Sequence, residues 1–508
     1  MKKVFNILFV IIIAIAYCCT GCNKLLDIEP SNTINEKNAW KTIVDARSAL
    51  LGNYGLLRSA LAENEANWMY GEFRNSAFKS VSRADLKAVI DGQLDLPFAL
   101  LEDLSNWRKF YAVINSSFLF IEKSGNVLDT DPQYTGLTHD VDVAQMKALI
   151  ALTYYYLVRT WGDVPLIRQS YDGQFPAIPR SSASAVLTYA EQLLKEAAPI
   201  LPYVYGSVSA NYFSGLYYGS SDWSGDLINR LTAYVLLAHV AVLDGRYLDA
   251  SAYLDYATAN SSAANLFTST TSVLVSTTSG VFTNTNNKHV LAFGMSQEKN
   301  ETTPTGHIEN LVLGYPLIPR VKPLVYIPSE DIATIYNEPN DERFNIDLSG
   351  NNSSMFFSNL NSEYPLFSKI SIVGPTSSTS TSNPSAFTVY GSPIVFSRAE
   401  EIILLQAETK AVLGDTSLAL DLLNLLRANR KLSKLPGGAN VIGEIFKERR
   451  KELIGEAWYW FDLVREKKIK RDDPVFNEMI ATGGIYWPVA QEVLDANKSI
   501  QQTPFWKK

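Results

Sequence analysis

The stretch DWSGDLINRLTAYVLLAHVAVLDGRYLDASAYLDYATAN, residues 222–260, decides the fold. In its first half, apolar side chains recur at i, i+3, i+4, i+7 and i+11, which is the spacing of one helix face. These residues are Leu231, Tyr234, Val235, Ala238 and Val242. After Gly245 the pattern resumes with Tyr247, Ala250, Tyr253, Leu254 and Ala257. The stretch therefore predicts two helices that fold back on each other at Gly245.

Small residues beside the aromatic ones, at Ala233, Ala250 and Ala257, resemble the tetratricopeptide pattern of closely stacked helix pairs. Similar helical segments lie at residues 142–161 with 182–201, 397–413 with 417–430, and in one last helix from about Val441 to Lys468. Each pair buries its apolar face only against a neighbour. The sequence therefore predicts a mainly α fold, a tetratricopeptide-like superhelix of helical hairpins.

The segments between these helices differ in composition. Residues 268–288 and 374–388 are rich in Ser and Thr and broken by Gly, Pro or Asn, which indicates surface loops and short strands. Residues 311–328 carry four prolines among apolar residues and are expected to be extended. We therefore expect three parts in the globular region: an N-terminal helical part at 36–264, a loop-rich subdomain at 265–395, and a C-terminal helical part at 396–508.

The chain opens with the features of a secretory signal peptide, MKKVFNILFVIIIAIAYCCTGC. Two lysines precede an apolar run that is shorter than the ~20 residues of a membrane-spanning helix. Residues 19–22, Cys-Thr-Gly-Cys, resemble a bacterial lipobox, whose last cysteine becomes the lipid-bearing N-terminus. All three cysteines of the chain lie in this segment. We expect a signal peptide at 1–21, acylation of Cys22 with palmitate among the chains, and a tether at 22–35.

The composition argues against nucleic acid as a partner. The formal net charge is −7, and removal of the two signal-peptide lysines makes it more negative. An acidic chain without a basic block has no electrostatic footprint for nucleic acid or anionic lipid. Contact with a membrane should therefore come from the acyl chains alone.

The usual signatures of catalysis are missing from the sequence. No G-x-S-x-G, H-E-x-x-H, G-x-G-x-x-G or G-K phosphate loop occurs. Four histidines are isolated from one another, and one of them, His239, lies on an apolar helical pattern typical of a core residue. The chain is therefore expected to be neither an enzyme nor the carrier of a cofactor.

Acidic residues leave two alternatives open. Asp129, Asp131, Asp140 and Asp142 could hold a structural calcium ion, although they lack the glycine and the distal glutamate of an EF-hand loop. A surface glycoside hydrolase would need two carboxylates about 5 to 9 Å apart across a cleft. Because the chain has 52 acidic residues, a chance pair carries no weight.

The 26 tyrosines and 9 tryptophans favour a sugar site. Apolar faces of sugars stack on aromatic rings, while their hydroxyl groups bond to Asn, Arg or Asp. One candidate stretch is NEANWMYGEFR, residues 64–74. Here Trp68 and Tyr70 are expected to form an exposed platform in an extended loop, and Asn67 and Arg74 to bond to the ligand.

A second candidate stretch is residues 203–223, which is unusually rich in tyrosine. Its candidate ligand residues are Tyr217, Tyr218 and Trp223. Most aromatic residues in any protein belong to the core, so both stretches compete with an ordinary packing role.

Several ordered motifs are spread over nearly the whole chain. They begin with CNKLLD at 22–27 and include ALTYYYLVRTWGDVPL at 151–166. The most specific block is ERRKEL at 448–453, followed by WFDL at 460–463. Further single positions are Trp40, Tyr54, Arg398, Glu401, Glu408, Arg427, Glu456, Arg465, Trp487, Pro488, Gln502 and Pro504. Together these motifs resemble the SusD/RagB family of nutrient-binding outer-membrane lipoproteins. Arg449, Arg450, Glu452 and Glu456 are expected to form ion pairs that tie the last helix to its neighbours.

The resemblance implies a non-catalytic protein on the outer face of the outer membrane. Such a protein caps a SusC-like TonB-dependent transporter and delivers captured cargo to it, most often an oligosaccharide. Family ligand sites share no motif, so the resemblance assigns no ligand residue. The alternatives are peptide capture on the same scaffold, which would need backbone edges and charge matching, and the glycoside hydrolase considered above.

Overall fold

The computed structural model describes residues 39–173, 175–205, 223, 225–283, 289–295, 301–347, 350–374 and 388–507. Helices dominate these residues, and none of the described helices is long and apolar enough to cross a membrane. The helices are α1 Ile43–Ala62, α2 Ala66–Gly71, α3 Ala84–Ile90, α4 Ala99–Leu104, α5 Arg108–Lys123, α6 Gly125–Thr130, α7 Gly136–Trp161, α8 Ala183–Ala197, α9 Arg230–Leu243, α10 Tyr247–Ala259, α11 Thr271–Val275, α12 Ile308–Val312, α13 Ser329–Ile335, α14 Ala399–Val412, α15 Thr416–Asn429, α16 Val441–Glu452, α17 Tyr459–Lys470, α18 Pro474–Thr482 and α19 Gln491–Ala496.

Neighbouring helices stack in chain order. Helix α7 packs on α8, α8 on α9, α9 on α10, α10 on α14, and α14 on both α15 and α16. The first two of these interfaces belong to a large apolar core, and smaller clusters fill the gaps around α10 and around α15. The mainly helical fold and its predicted hairpins are therefore confirmed, and stacked pairs supply the burial that one amphipathic pair lacks.

Two glycines lie just after helices at positions where a larger residue would not fit, because a neighbouring ring occupies the space that a Cβ atom would need. Gly162 follows α7 with φ +72°, and a Cβ there would lie 2.7 Å from the ring of Tyr486. Gly455 follows α16 with φ +80°, and a Cβ there would lie 2.4 Å from the ring of Phe367. The prediction of one helix from Val441 to Lys468 was wrong, because the chain turns at Gly455 and starts α17 four residues later.

The strands are short and all pair antiparallel. The longest pair joins β4, His289–Phe293, to β10, Ile394–Arg398. The other strands are β1 Lys79–Ser80, β2 Val164–Pro165, β3 Arg180–Ser181, β5 Val325–Tyr326, β6 Asn345–Ile346, β7 Asn352–Ser353, β8 Phe357–Ser358 and β9 Leu366–Phe367. Sheet pairs β1–β5 and β4–β10 join distant parts of the chain.

The loop-rich segment shares its apolar residues with the rest of the protein. Phe282, Phe356 and Phe367 are buried in the same core as the residues of α1 and α7. Within the segment expected to be extended, residues 311–312 instead belong to helix α12. The domain boundaries proposed from the sequence stay a prediction, and residues 284–288 and 375–387 lie outside the described part.

Buried ion pairs tie α16 to the strands and helices around it. The carboxylate of Glu452 lies 2.7 Å from Arg430, 3.0 Å from Arg398 and 3.1 Å from Arg343. Arg449 lies 2.8 Å from Asp462. Beyond α16, Glu456 pairs with Arg398 and Lys369.

The sequence prediction of ion pairs in this block is confirmed for Arg449, Glu452 and Glu456. It was wrong for Arg450, which is exposed and lies with its guanidinium carbon 5.5 Å from the ring centre of Tyr459. Arg449 and Glu452 are three residues apart and share the face of α16 that points to the core. Arg450 lies on a different face of the helix and therefore points to solvent.

Candidate functional site

The exposed aromatic platform expected at Trp68 and Tyr70 is not formed. Both residues lie in helix α2 and not in an extended loop, and their side chains are only 2% and 4% exposed. The indole Nε1 of Trp68 donates to the carbonyl of Gly455 at 2.9 Å, and the hydroxyl of Tyr70 donates to the carbonyl of Leu104 at 2.8 Å. The prediction was wrong because both polar atoms are satisfied inside the core, which leaves the rings free to pack.

The two polar residues expected beside that platform are buried as well. Asn67 lies in α2, and Arg74 donates to the carbonyls of Gly484 and Ile485 at 2.6 and 3.1 Å. The guanidinium carbon of Arg74 lies 4.0 Å from the ring centre of Trp460, and burial lowers the pKa of Arg74 to about 9. Arg74 therefore stabilises the fold through Trp460 and the two carbonyls, and it is not accessible to a ligand.

Only one candidate from the second aromatic stretch can be placed. Trp223 is half-buried, and the guanidinium carbon of Arg47 lies 5.6 Å from its ring centre. Trp223 lines a small pocket together with Tyr203 and Tyr205. Tyr217 and Tyr218 lie outside the described residues, as does the lipid-attachment candidate Cys22.

A cleft of about 1020 Å³ opens between the ends of α7, α9 and α14 and the helices α17 and α18. We call it the arginine cleft. Helix α17 faces it with residues at i, i+3, i+4 and i+7, namely Phe461, Val464, Arg465 and Lys468. Side chains at this spacing share one helix face, so α17 forms a continuous wall. The volume is that of a pocket for a ligand of several rings.

Helix α7 contributes Arg159 to this cleft, and this arginine is almost completely buried. The guanidinium carbon of Arg159 lies 4.1 Å from the ring centre of Tyr156, 4.3 Å from that of Phe461 and 5.1 Å from that of Tyr155. Trp458 adds a fourth ring at 5.5 Å. Arg159 is only 6% exposed, and its buried Nε has no hydrogen-bond partner. Aromatic faces attract a cation, so this cage holds the guanidinium in place.

The charged groups around the arginine cleft leave it with excess positive charge. Arg465 is neutralised by Glu408 at 2.9 Å and by Asp462 at 2.8 Å. By contrast, neither Arg159 nor Lys468 forms an ion pair with any carboxylate of the described residues. Lys468 is half-buried, and its burial and the nearby Arg465 lower its pKa. A lowered lysine pKa means that the site disfavours its own positive charge and would gain from an anion.

His239 also lines the cleft, and the expectation that it is a core residue is confirmed. Its Nε2 lies 3.2 Å from a carboxylate oxygen of Glu401, and its ring stacks on Trp458 at 5.0 Å. Burial alone would raise the pKa of Glu401, but His239 and Arg449 hold it well below its ordinary value. His239 is therefore held in place by Glu401 and forms part of the wall.

Comparisons with known proteins place the chain in a family. The sequence model of the SusD family matches residues 376–506. A crystal structure of a SusD superfamily protein from Bacteroides thetaiotaomicron is 40% identical, covers 92% of this chain and 99% of its own, and has a TM-score of 0.84. The chain belongs to the SusD family. A curated relative, SusD-like protein P38 of Formosa agariphila, is 26% identical over 99% of this chain and 100% of its own length.

A further solved structure shares the SusD fold at lower identity. The structure described as a laminarin binding SusD-like protein is 19% identical, covers 92% of this chain and 100% of its own, and has a TM-score of 0.67. At this identity the likeness supports the fold. The SusD family assignment made from motifs at residues 22–27, 151–166 and 448–453 is therefore confirmed.

The arginine cleft of this SusD-family chain is not among the sites predicted from the sequence. Tyr155 and Arg159 stand inside a motif that carries the family resemblance, and Phe461 and Lys468 lie on a helix expected to form ion pairs. The available signal is Arg159 four residues after Tyr155, in the otherwise uncharged stretch 148–161, because a cation in that position needs a partner. The sequence alone does not predict that the end of α7 and the start of α17 lie next to each other, so that Arg159 contacts Phe461.

Two of the four acidic residues considered for calcium, Asp131 and Asp142, accept hydrogen bonds within this SusD-family protein. Asp131 accepts from the backbone amides of Ile43 and Gln133, and Asp142 accepts from the hydroxyl of Tyr134 at 3.0 Å. In the part of the chain with described coordinates, no group of three His, Cys, Asp or Glu residues is arranged to hold a metal ion.

One buried arrangement combines the residue types of a catalytic triad in a different order. The hydroxyl of Ser392 donates to Glu309 at 2.8 Å and lies 3.3 Å from His307 Nδ1. In a hydrolase, the histidine lies between the serine and the acid. All three side chains are completely buried. Burial lowers the pKa of His307 to about 4 and raises that of Glu309 to about 7. The group is therefore a buried polar network without access for a substrate.

Proposed function

We propose that this SusD-family protein is a lipid-anchored binding protein of the outer membrane, which captures oligosaccharides on the cell exterior. It then delivers them to a SusC-like TonB-dependent transporter without chemical conversion. The observation that carries the proposal is the SusD family membership over almost the whole chain. The laminarin binding SusD-like protein supports a glycan as the ligand, because it shares this fold.

The arginine cleft supports the same function from its chemistry. It combines aromatic and apolar surfaces, such as Phe461 and Tyr486, with side chains that donate hydrogen bonds. This is the composition of a site for a molecule with apolar faces and polar edges, as a sugar has. The anchor is supported by the signal-peptide pattern of residues 1–21 and by Cys22 as the first residue after it.

The purified protein is expected to bind at least one class of oligosaccharide and to release no product from it. Calorimetry against a panel of neutral, acidic and sulfated oligosaccharides and of peptides measures binding. Chromatography of the same mixtures after prolonged incubation measures turnover. Binding confined to peptides, or the release of shorter sugars, would contradict the proposal.

Replacing Cys22 by Ala is expected to move the protein from the membrane fraction to the soluble fraction without changing its melting temperature. The lipid is the anchor in this proposal, because several acyl chains on one residue suffice for stable attachment. Cell fractionation followed by immunoblotting measures the distribution. Cys18→Ala is the matched control, since Cys18 leaves with the signal peptide and lies outside the lipobox at residues 19–22.

The wild-type membranes provide the test of the transporter partner. After mild detergent extraction, the protein should be recovered in complex with a large barrel transporter. Repeated recovery of the wild-type protein alone would count against the transporter partner, whereas retention of the Cys22→Ala protein in the membrane would count against the lipid anchor.

A further inference from the structure

Three cations that line the arginine cleft, Arg159, Lys468 and Arg471, form no ion pair with a carboxylate of the described residues, and Arg471 is the most exposed of them. Arg159 is 6% exposed and held between the rings of Tyr156 and Phe461, at 4.1 and 4.3 Å. Lys468 lies two helical turns from Phe461 on the same face of α17. A buried or half-buried charge without a counter-ion is costly. An anion that enters the cleft would supply the missing counter-ion and so stabilise these side chains.

Two other charged groups that line the cleft already have partners. Arg465 is held by Glu408 and Asp462, and Asp244 lies 3.0 Å from the Nε of Arg246. An incoming anion would therefore meet Arg159, Lys468 and the exposed Arg471, and would not displace an internal carboxylate. This separates the arginine cleft from the buried network around Glu452, where each arginine has a carboxylate of the protein.

The remaining walls favour a sugar as the molecule that carries the anion. The half-buried ring of Tyr486 offers a flat apolar surface, and the edge of the buried Phe461 lines the cleft with it. The described lining residues lie on helices and the turns that follow them, so no strand edge is available for an extended peptide backbone. The volume of about 1020 Å³ exceeds what a small inorganic anion requires.

We propose that the arginine cleft binds a carboxylate-bearing sugar, a uronic acid residue of an oligosaccharide, with Arg159 and Lys468 receiving its carboxylate. This inference rests on the proposed function and names the class of its ligand. Arg159 presents a planar fork that matches a carboxylate, and the aromatic cage orients that fork in advance. The ring of Tyr486 contacts the face of a sugar ring.

The test compares each acidic oligosaccharide with its own neutral form. Oligomers of galacturonate, glucuronate and mannuronate are titrated into the detergent-solubilised, full-length protein, each beside its methyl ester. We expect at least one acid to bind roughly 10- to 100-fold more tightly than its ester, as loss of a charge-assisted hydrogen bond implies. A sulfated neutral-sugar oligomer and a peptide with a free C-terminus complete the panel.

Lys468→Met should remove about 10-fold of the preference for the acid while leaving the affinity for the ester and the melting temperature unchanged. Lys470→Met is the matched control, because Lys470 is on the same helix, pairs with Glu466 and does not line the cleft. Arg159→Gln should abolish the preference. If the Arg159 variant fails to fold, the Lys468 variant decides alone.

The outcomes separate this inference from the proposed function. Equal binding of acids and esters, an acid preference that survives Lys468→Met, or tighter binding of the sulfated oligomer or the peptide overturns the carboxylate site. Neutral oligosaccharides would still bind in the first of these cases, and the proposed function would stand. Failure of every oligosaccharide to bind would overturn both.

Discussion

Replacing Glu452 by Gln is expected to lower the free energy of unfolding by about 3 to 5 kcal/mol, the cost of breaking a buried ion pair from one side. Glu452 is completely buried and contacts Arg343, Arg398 and Arg430. Glutamine keeps the shape of the side chain but removes the charge, and it turns an NH₂ donor toward guanidinium donors. The three arginines would then have one carboxylate fewer, and the protein interior screens the repulsion between their charges poorly.

The pH dependence of this effect identifies its cause. Burial alone would raise the pKa of Glu452, but Arg430, Arg398 and Arg343 together hold it well below its ordinary value. A carboxylate with a depressed pKa contributes its stability above its unfolded pKa of about 4.3 and loses it as the pH falls further. The difference in stability between wild type and Glu452→Gln should therefore be full at neutral pH and narrow below about pH 4.

Glu444→Gln is the matched control for this experiment. Glu444 lies on the same helix and pairs with Lys447 at 2.7 Å, but the Lys447 side chain is 68% exposed. Solvent-exposed pairs contribute about 0 to 1 kcal/mol. Chemical denaturation measures both variants, and equal losses for Glu452→Gln and Glu444→Gln would contradict the role given to the buried network.

The sequence predicts well those features that depend on local pattern. The helical hairpins follow from apolar spacing along residues 222–260, because a helix face is defined within a few turns. Ion pairs of Arg449, Glu452 and Glu456 follow from the charge-rich block at residues 448–456, in which acidic and basic side chains lie close together along the chain. Where the local pattern misleads, as at the turn after α16, the decisive contact is distant: Gly455 closes against Phe367.

The candidate site was harder to predict, because exposure is a property of the whole fold. Trp68 and Tyr70 have the composition of a sugar platform, but the residues that cover them come from the other end of the chain, such as Gly455 and Trp487. Conversely, Arg159 has the local sequence of a core position. It reaches a cleft only because α17 and α18 leave space at the end of α7.

Trp68 is the residue whose role changes most between sequence and structure, and its substitution has the second large expected effect. Because Trp68 is 2% exposed and donates to the Gly455 carbonyl, Trp68→Ala should create a cavity and lower the free energy of unfolding by about 3 to 5 kcal/mol. Trp68→Phe keeps most of the packing but leaves that carbonyl without its donor, and should cost less. Trp506→Ala, at a half-buried indole on the edge of the core, is a control for the melting temperature alone, because Trp506 donates to the carbonyl of Tyr486.

The same variants distinguish a core residue from a ligand residue. If Trp68 belongs to the core, the fraction of Trp68→Ala protein that remains folded should bind oligosaccharide with wild-type affinity, while its melting temperature falls well below that of Trp68→Phe. A ligand platform requires the opposite pair of results, namely unchanged melting and weaker binding. Trp68 does not line the arginine cleft, so its loss is expected to act on binding through stability. Calorimetry at a temperature below the transition of every variant therefore separates the two roles.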